Sequence, residues 1–210
     1  MSKQPKVFLV DDDPGVRQSL QCVLESTGLH IEAFSTADDF LAHYDNSHPS
    51  CVILDLRMPG MTGEQLLQHL QQNHIDIPVI IITAHGDIPT AVRSMRLGAL
   101  DFCQKPVDPD TLLALVKNAI EIDTRKTEAR RQTEAARQQI ALLTPREREL
   151  LTLLVDGKSY KEIASALGIS VRTVEHHRAH LNVKLGLERL PDLVRLTLLA
   201  DPQVALQNQP

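Results

Sequence analysis

Residues 6–16, KVFLVDDDPGV, set a short apolar run against a cluster of carboxylates and then a proline. The run Lys6–Val10 has the length of a strand buried on both faces. Residues 14–27 follow with apolar side chains at helical spacing (Val16, Leu20, Val23, Leu24) until Gly28 stops them. The same unit recurs along the first half of the chain: His30–Phe34 before a helix at 36–44, Cys51–Leu54 before 63–73, Val79–Ile82 before 88–97, and Asp101–Gln104 before a helix from about Pro109. Five strand–helix units in about 120 residues predict an α/β doubly wound five-stranded parallel sheet with helices on both faces.

Such sheets hold ligands beyond the carboxyl ends of their strands. There the sequence places Asp11 and Asp12 after the first strand, Asp55 after the third, Thr83 after the fourth and Lys105 after the fifth. One aspartate after a strand is usually a cap or turn residue. Four strand ends carrying matched chemistry point to a site. Three crowded carboxylates repel unless a cation compensates, and hard oxygen ligands suit Mg²⁺. A lysine and a hydroxyl beside them suit a carboxylate that receives a phosphoryl group. Gly60, Gly63 and Pro59 read as turn residues between Asp55 and the next helix.

The composition agrees with globular domains: 210 residues, 42% hydrophobic and 23% charged. Aromatic residues make up only 3%, which disfavours a single-strand binder that stacks bases on rings. No secretory signal or membrane span is visible. Cys22, Cys51 and Cys103 form no CxxC pair and read as buried, reduced thiols of a cytoplasmic protein. Charge divides the chain. Residues 1–122 hold 8 Lys+Arg against 16 Asp+Glu, and residues 123–210 hold 14 against 11. An acidic half and a mildly basic half predict two domains with different partners.

The stretches VFLVDDD, VILDLRMPGMTG, VIIITAHGD and GALDFCQKP make residues 5–122 resemble the receiver domain of two-component response regulators. The resemblance implies a Mg²⁺ site at Asp11, Asp12, Asp55 and the backbone carbonyl of Arg57. It makes Asp55 the phosphoacceptor, Thr83 and Phe102 the switch pair, Lys105 the charge partner, and the Lys105–Pro106 bond cis.

Residues 121–143 lack Gly and Pro and are rich in helix formers. Leu115, Ile122, Ala129, Ala136 and Leu143 recur every seventh residue, so a helical linker at 123–139 either pairs with a partner chain or stands solvated. Beyond it, at 140–202, helix starts are legible at the capping boxes Thr144–Glu147 and Ser159–Glu162 and at Ser170. A short helix, a turn at Gly168 and a longer helix at 171–185 predict a small all-α four-helix domain containing a helix-turn-helix.

LTPREREL, GKSYKEIASALGIS and VRTVEHHRAHLNVKLGL resemble the LuxR-type helix-turn-helix of FixJ/NarL response regulators. Carried over by position, Glu175, His176 and Ala179 face base edges of double-stranded DNA, Thr173, His177, Arg178 and Lys184 lie near phosphates, and Arg172 belongs to the same polar DNA-binding face. The last helix, through Leu193, Leu196 and Thr197, becomes a dimer contact, and residues 202–210 a frayed tail. The expectation is a transcriptional regulator, not an enzyme beyond slow self-dephosphorylation. A histidine kinase switches it at Asp55, and it acts as a homodimer at an operator, with RNA polymerase as a further partner and no membrane association. The alternatives are an orphan regulator independent of phosphorylation and an aspartyl-phosphate phosphatase. The second leaves the C-terminal half without a role.

Overall fold

The computed structural model describes residues 4–84 and 86–201; the tail expected at 202–210 and His85 lie outside them. The contacts divide the chain into two units, meeting between Thr127 and Glu128. The first unit runs past Ile122, where the sequence reading ended it, because Asp123 is buried there and accepts the backbone N–H of Ser50 at 2.8 Å.

The first unit is a five-stranded parallel sheet. Its strands are β1 (Lys6–Val10), β2 (His30–Phe34), β3 (Ser50–Leu54), β4 (Val79–Thr83) and β5 (Asp101–Gln104), in the order β2-β1-β3-β4-β5. Alternate residues feed two cores, as the two-residue strand period requires. Phe8, Val10, Val52, Leu54, Val79 and Ile81 pack on one side with α2 (Ala37–His43) and α3 (Gly63–Gln72). Val7, Leu9, Ile53, Ile80 and Ile82 pack on the other with α1 (Pro14–Glu25) and the start of α5 (Pro109–Ala141). Helix α4 (Ile88–Arg96) completes the unit. Thr83 is the last residue of β4 rather than the first after it, and Cys22 is exposed on α1 rather than buried. Cys51 is buried, which pushes its thiol up to about 12.

The second unit holds α6 (Pro145–Val155), α7 (Tyr160–Leu167), α8 (Val171–Leu185) and α9 (Leu190–Ala200). Its capping boxes are formed: Thr144 and Glu147 bond each other's backbones at the start of α6, as do Ser159 and Glu162 at α7. Gly168, at φ 66°, ends α7 in the left-handed region that glycine enters without a Cβ clash. The core contains Leu150, Leu154, Ile163, Val174, Leu181 and Leu193.

Two apolar sets bear on the contacts expected with a second chain. Ala136 and Leu143 of the seven-residue row are buried in this unit's own core, and Leu115 packs inside the first unit. Those three positions serve internal cores, while Ile122 is half-buried and Ala129 exposed. Leu193 and Leu196 are likewise 0% and 7% exposed, and Thr197 donates its hydroxyl to the Leu193 carbonyl. The two leucines face this unit's own core, and Thr197 is half-buried.

Candidate functional site

Backbone pairing continues one residue past the strands and sets the site. The N–H of Asp11 donates to Phe34 at 3.2 Å, that of Asp55 to Val10 at 2.9 Å, and that of Lys105 to Thr83 at 2.9 Å. These bonds align the ends of β1, β2 and β3, and of β4 and β5, at the edge of the sheet where the strand order reverses around β1.

The side chains converge. Lys105 Nζ donates to Asp11 Oδ2 at 2.6 Å and to Asp55 Oδ2 at 2.7 Å. Asp12 joins them, with ligand atoms of Asp11, Asp12 and Asp55 all within 4.8 Å of one another. Asp11 is 2% and Asp55 8% exposed, whereas Asp12 is open to solvent. Burial lifts the Asp11 carboxyl above its usual value, against the opposing bond from Lys105. On Lys105 burial works against the charge, but the two carboxylate bonds outweigh it and hold the ammonium above the usual lysine value. The burial penalty that Lys105 leaves on Asp11, and the exposed Asp12 at the rim, fit this donor set to a hard cation such as Mg²⁺.

The three consecutive aspartates divide their work. Asp13 contributes its backbone N–H, which donates to Asp11 Oδ1 at 3.0 Å, while its own Oδ1 caps α1 by accepting the N–H groups of Gly15 at 2.7 Å and Val16 at 3.1 Å. Arg17, a turn later, donates to the Asp11 carbonyl at 2.6 Å. After Asp55 the backbone N–H of Arg57 returns to Asp55 Oδ1 at 3.2 Å. Thr83 is 1% exposed and lines a cleft of about 180 Å³ with Leu56, Arg57, Thr62, Glu64, Thr90 and Arg93. Phe102 is half-buried against the core that contains Ile81, and the Lys105–Pro106 bond is cis.

Gly63 was missed as a site residue. It is the first residue of α3, not a turn residue, and a Cβ there would sit 2.3 Å from the Asp55 carbonyl oxygen. Its backbone conformation is ordinary, so only the close approach requires glycine.

On α8, Arg172, Glu175, His176, Ala179 and Lys184 are exposed, and Thr173, His177 and Arg178 are half-buried. Thr173 is engaged in the helix cap with Ser170 at 2.7 Å. Arg178 donates to the Glu188 carbonyl at 3.0 Å, tying α8 to the loop before α9. Lys184 turns from the expected phosphate role to Glu147, at 2.7 Å. Glu147 is 5% exposed, and the Lys184 bond with the N–H of Thr144 holds its carboxyl down at about 2. Arg189, at the N-cap of α9, makes no side-chain cap bond. Among the described residues no helix is long and apolar enough to cross a membrane.

A doubly wound sheet with an acidic, lysine-bridged edge, followed by a helix-turn-helix, defines a receiver joined to a DNA-binding domain. Residues 7–117 match the response regulator receiver domain, and residues 141–197 match the luxR family of bacterial regulatory proteins. The chain is 41% identical over 203 residues to the transcriptional regulatory protein FixJ of Azorhizobium caulinodans, covering 95% of each. It is 37% identical over 203 residues to the tetrathionate response regulatory protein TtrR of Salmonella typhimurium, covering 96% of this chain and 97% of that one. The solved structure of the response regulator StyR superposes with a TM-score of 0.86 at 39% identity, covering 93% of this chain and 98% of that one. The chain belongs to the response regulators and, within them, to the FixJ-type transcriptional regulators of two-component systems.

Proposed function

We propose that Asp55 accepts a phosphoryl group from the phosphohistidine of a partner kinase and that the modified receiver licenses DNA binding by a homodimer. The observation that carries this is the Lys105 ammonium bridging Asp11 and Asp55 at 2.6 and 2.7 Å, with Asp12 beside them. A carboxylate oxygen of Asp55 forms the bond to phosphorus as the bond to histidine nitrogen breaks. Lys105, already within reach of both carboxylates, follows the new negative charge. Asp11, Asp12, Asp55 and the Arg57 carbonyl would hold Mg²⁺, which supplies neutralisation of the phosphoryl oxygens.

The added charge draws the Thr83 hydroxyl toward Asp55, and Phe102 follows into the room behind it. Phosphorylation acts by favouring this arrangement over the resting one. The rearranged surface includes α4, whose Ile88, Val92 and Met95 are 81%, 44% and 48% exposed, and a second receiver covers that apolar face. The acyl phosphate is lost slowly by hydrolysis, so the receiver resets itself without acting as a classical enzyme.

In the second unit, α8 enters the major groove. Glu175, His176 and Ala179 meet base edges, with Glu175 accepting from cytosine N4 and Ala179 touching a thymine methyl. Arg172, Thr173, His177 and Arg178 lie toward phosphates, while Lys184 holds Glu147 instead. The protein works in the cytoplasm, and contact with RNA polymerase follows promoter binding.

Intact-mass measurement after incubation with Mg²⁺ and acetyl phosphate, with light scattering alongside, tests the switch. One phosphoryl adduct on the wild type, none on Asp55→Asn, and a shift toward dimer are expected. An adduct that persists on Asp55→Asn removes Asp55 from the role, and an adduct without any change in DNA affinity removes the coupling.

A further inference from the structure

The stretch HHRAH at 176–180 repeats histidine four residues apart on α8, and the structure brings those two rings together. The ring centres of His176 and His180 are 4.2 Å apart with 52° between their planes, and both residues are exposed. His177 lies farther off, 6.4 Å from His176, and is half-buried.

Two imidazoles at this spacing on one helix face form a bidentate ligand for a borderline transition metal. At metal–nitrogen distances of about 2.0–2.1 Å, two nitrogens on a tetrahedral ion stand roughly 3.3 Å apart. Rings centred 4.2 Å apart reach that separation by rotation about their outer torsions. The flanking charges do not close the site. Arg172, one turn earlier, is exposed and opposes a cation, but Lys184, one turn later, has its ammonium 2.7 Å from Glu147. The position of the glutamate in a hydrolytic HExxH motif is taken here by His177, so the pair binds metal without the general base that hydrolysis needs.

We propose that His176 and His180 form a transition-metal site on the recognition helix, for Zn²⁺, Ni²⁺ or Cu²⁺ with water completing the shell, and that the ion and DNA compete for that face. The metal site stands on the ring geometry alone. The competition rests on the placement of His176 at base edges, because a ring nitrogen bound to metal can no longer bond a base. By linkage, DNA must then weaken the metal by the factor the metal weakens DNA.

The test uses the full chain with Mg²⁺ in excess, so that the acidic cluster is occupied, titrated with Ni²⁺ while the imidazole C–H signals are followed by NMR. Signals of His176 and His180 broaden first, and His180→Gln weakens Ni²⁺ at least about tenfold whereas His177→Gln does not. Broadening shared evenly among the histidines, or undiminished in His180→Gln, overturns the site. A duplex obtained by in vitro selection with the metal-free wild type then serves as DNA probe. Saturating Ni²⁺ lowers wild-type affinity for it about tenfold and leaves His180→Gln unmoved. If Ni²⁺ binds the pair but DNA affinity holds, the competition is wrong. His176→Ala then separates the causes: lost affinity keeps His176 at the bases, and unchanged affinity removes it from them.

Discussion

Gly63 shows how little room the loop after Asp55 leaves. Its missing Cβ lets α3 begin against the Asp55 backbone, at 2.3 Å from where that carbon would stand to the carbonyl oxygen, while its N–H bonds the Leu56 carbonyl at 3.0 Å. The clash is with backbone, which cannot swing aside. Gly63→Ala should therefore cost about 1–3 kcal/mol in urea denaturation, within the range for overpacking, and slow phosphoryl uptake as the Asp55 segment shifts. Unchanged stability and uptake would mean that the contact relaxes freely. At this scale the sequence was legible where chemistry sits at a strand end: Asp11, Asp12, Asp55 and Lys105 come together, and Thr83 ends β4 in a neighbouring cleft. Gly63 was not legible as a close approach, because a glycine needed for space has the same letter as a glycine needed for a turn.

Helix α8 carries two kinds of cation that its sequence does not distinguish. Arg172 is exposed, whereas Lys184 is bound to Glu147 at 2.7 Å across to α6. Arg172→Ala should lower the slope of log affinity against log salt by about one, and Lys184→Ala should leave that slope in place. Equal slopes for the two variants would refute the division. The Lys184 partner also titrates. Glu147 sits at about 2 in the folded chain against an ordinary 4.5. A lowered folded value means its stabilisation is complete above about pH 4.5 and is lost as pH falls toward 2. Glu147→Gln should cost about 1–2 kcal/mol at pH 7, through the helix cap and the ion pair, and the gap to wild type should narrow by pH 3 in chemical denaturation. The strands and helix starts were nearly all readable, since apolar runs and capping boxes are local. The row from Leu115 to Leu143 and the Leu193–Leu196 pair were less legible for one reason: apolar spacing says that a face is covered, not by which chain.

Over the whole molecule, two units carry separate buried clusters. Leu150, 1% exposed, belongs only to the cluster of the second. Leu150→Ala should cost about 2–5 kcal/mol in that unit's unfolding and abolish DNA binding first on warming, while the receiver still takes up phosphate from acetyl phosphate. Parallel loss of both activities would show that the units unfold together. Strand β3 ties the two ends of the receiver. Its last residue, Leu54, hands the chain to Asp55, and its first, Ser50, is bonded to Asp123 on the helix that leads onward. It is buried along its whole length and paired with β1 on one side and β4 on the other. Sliding such a strand by one residue would turn every side chain onto the wrong face. It is thus a fixed ruler between Asp55 and the outgoing helix, not a pushrod. On the proposed switch, news of the phosphate has no axial road and makes a detour through the neighbouring strand ends, where the Thr83 hydroxyl and the Phe102 ring stand.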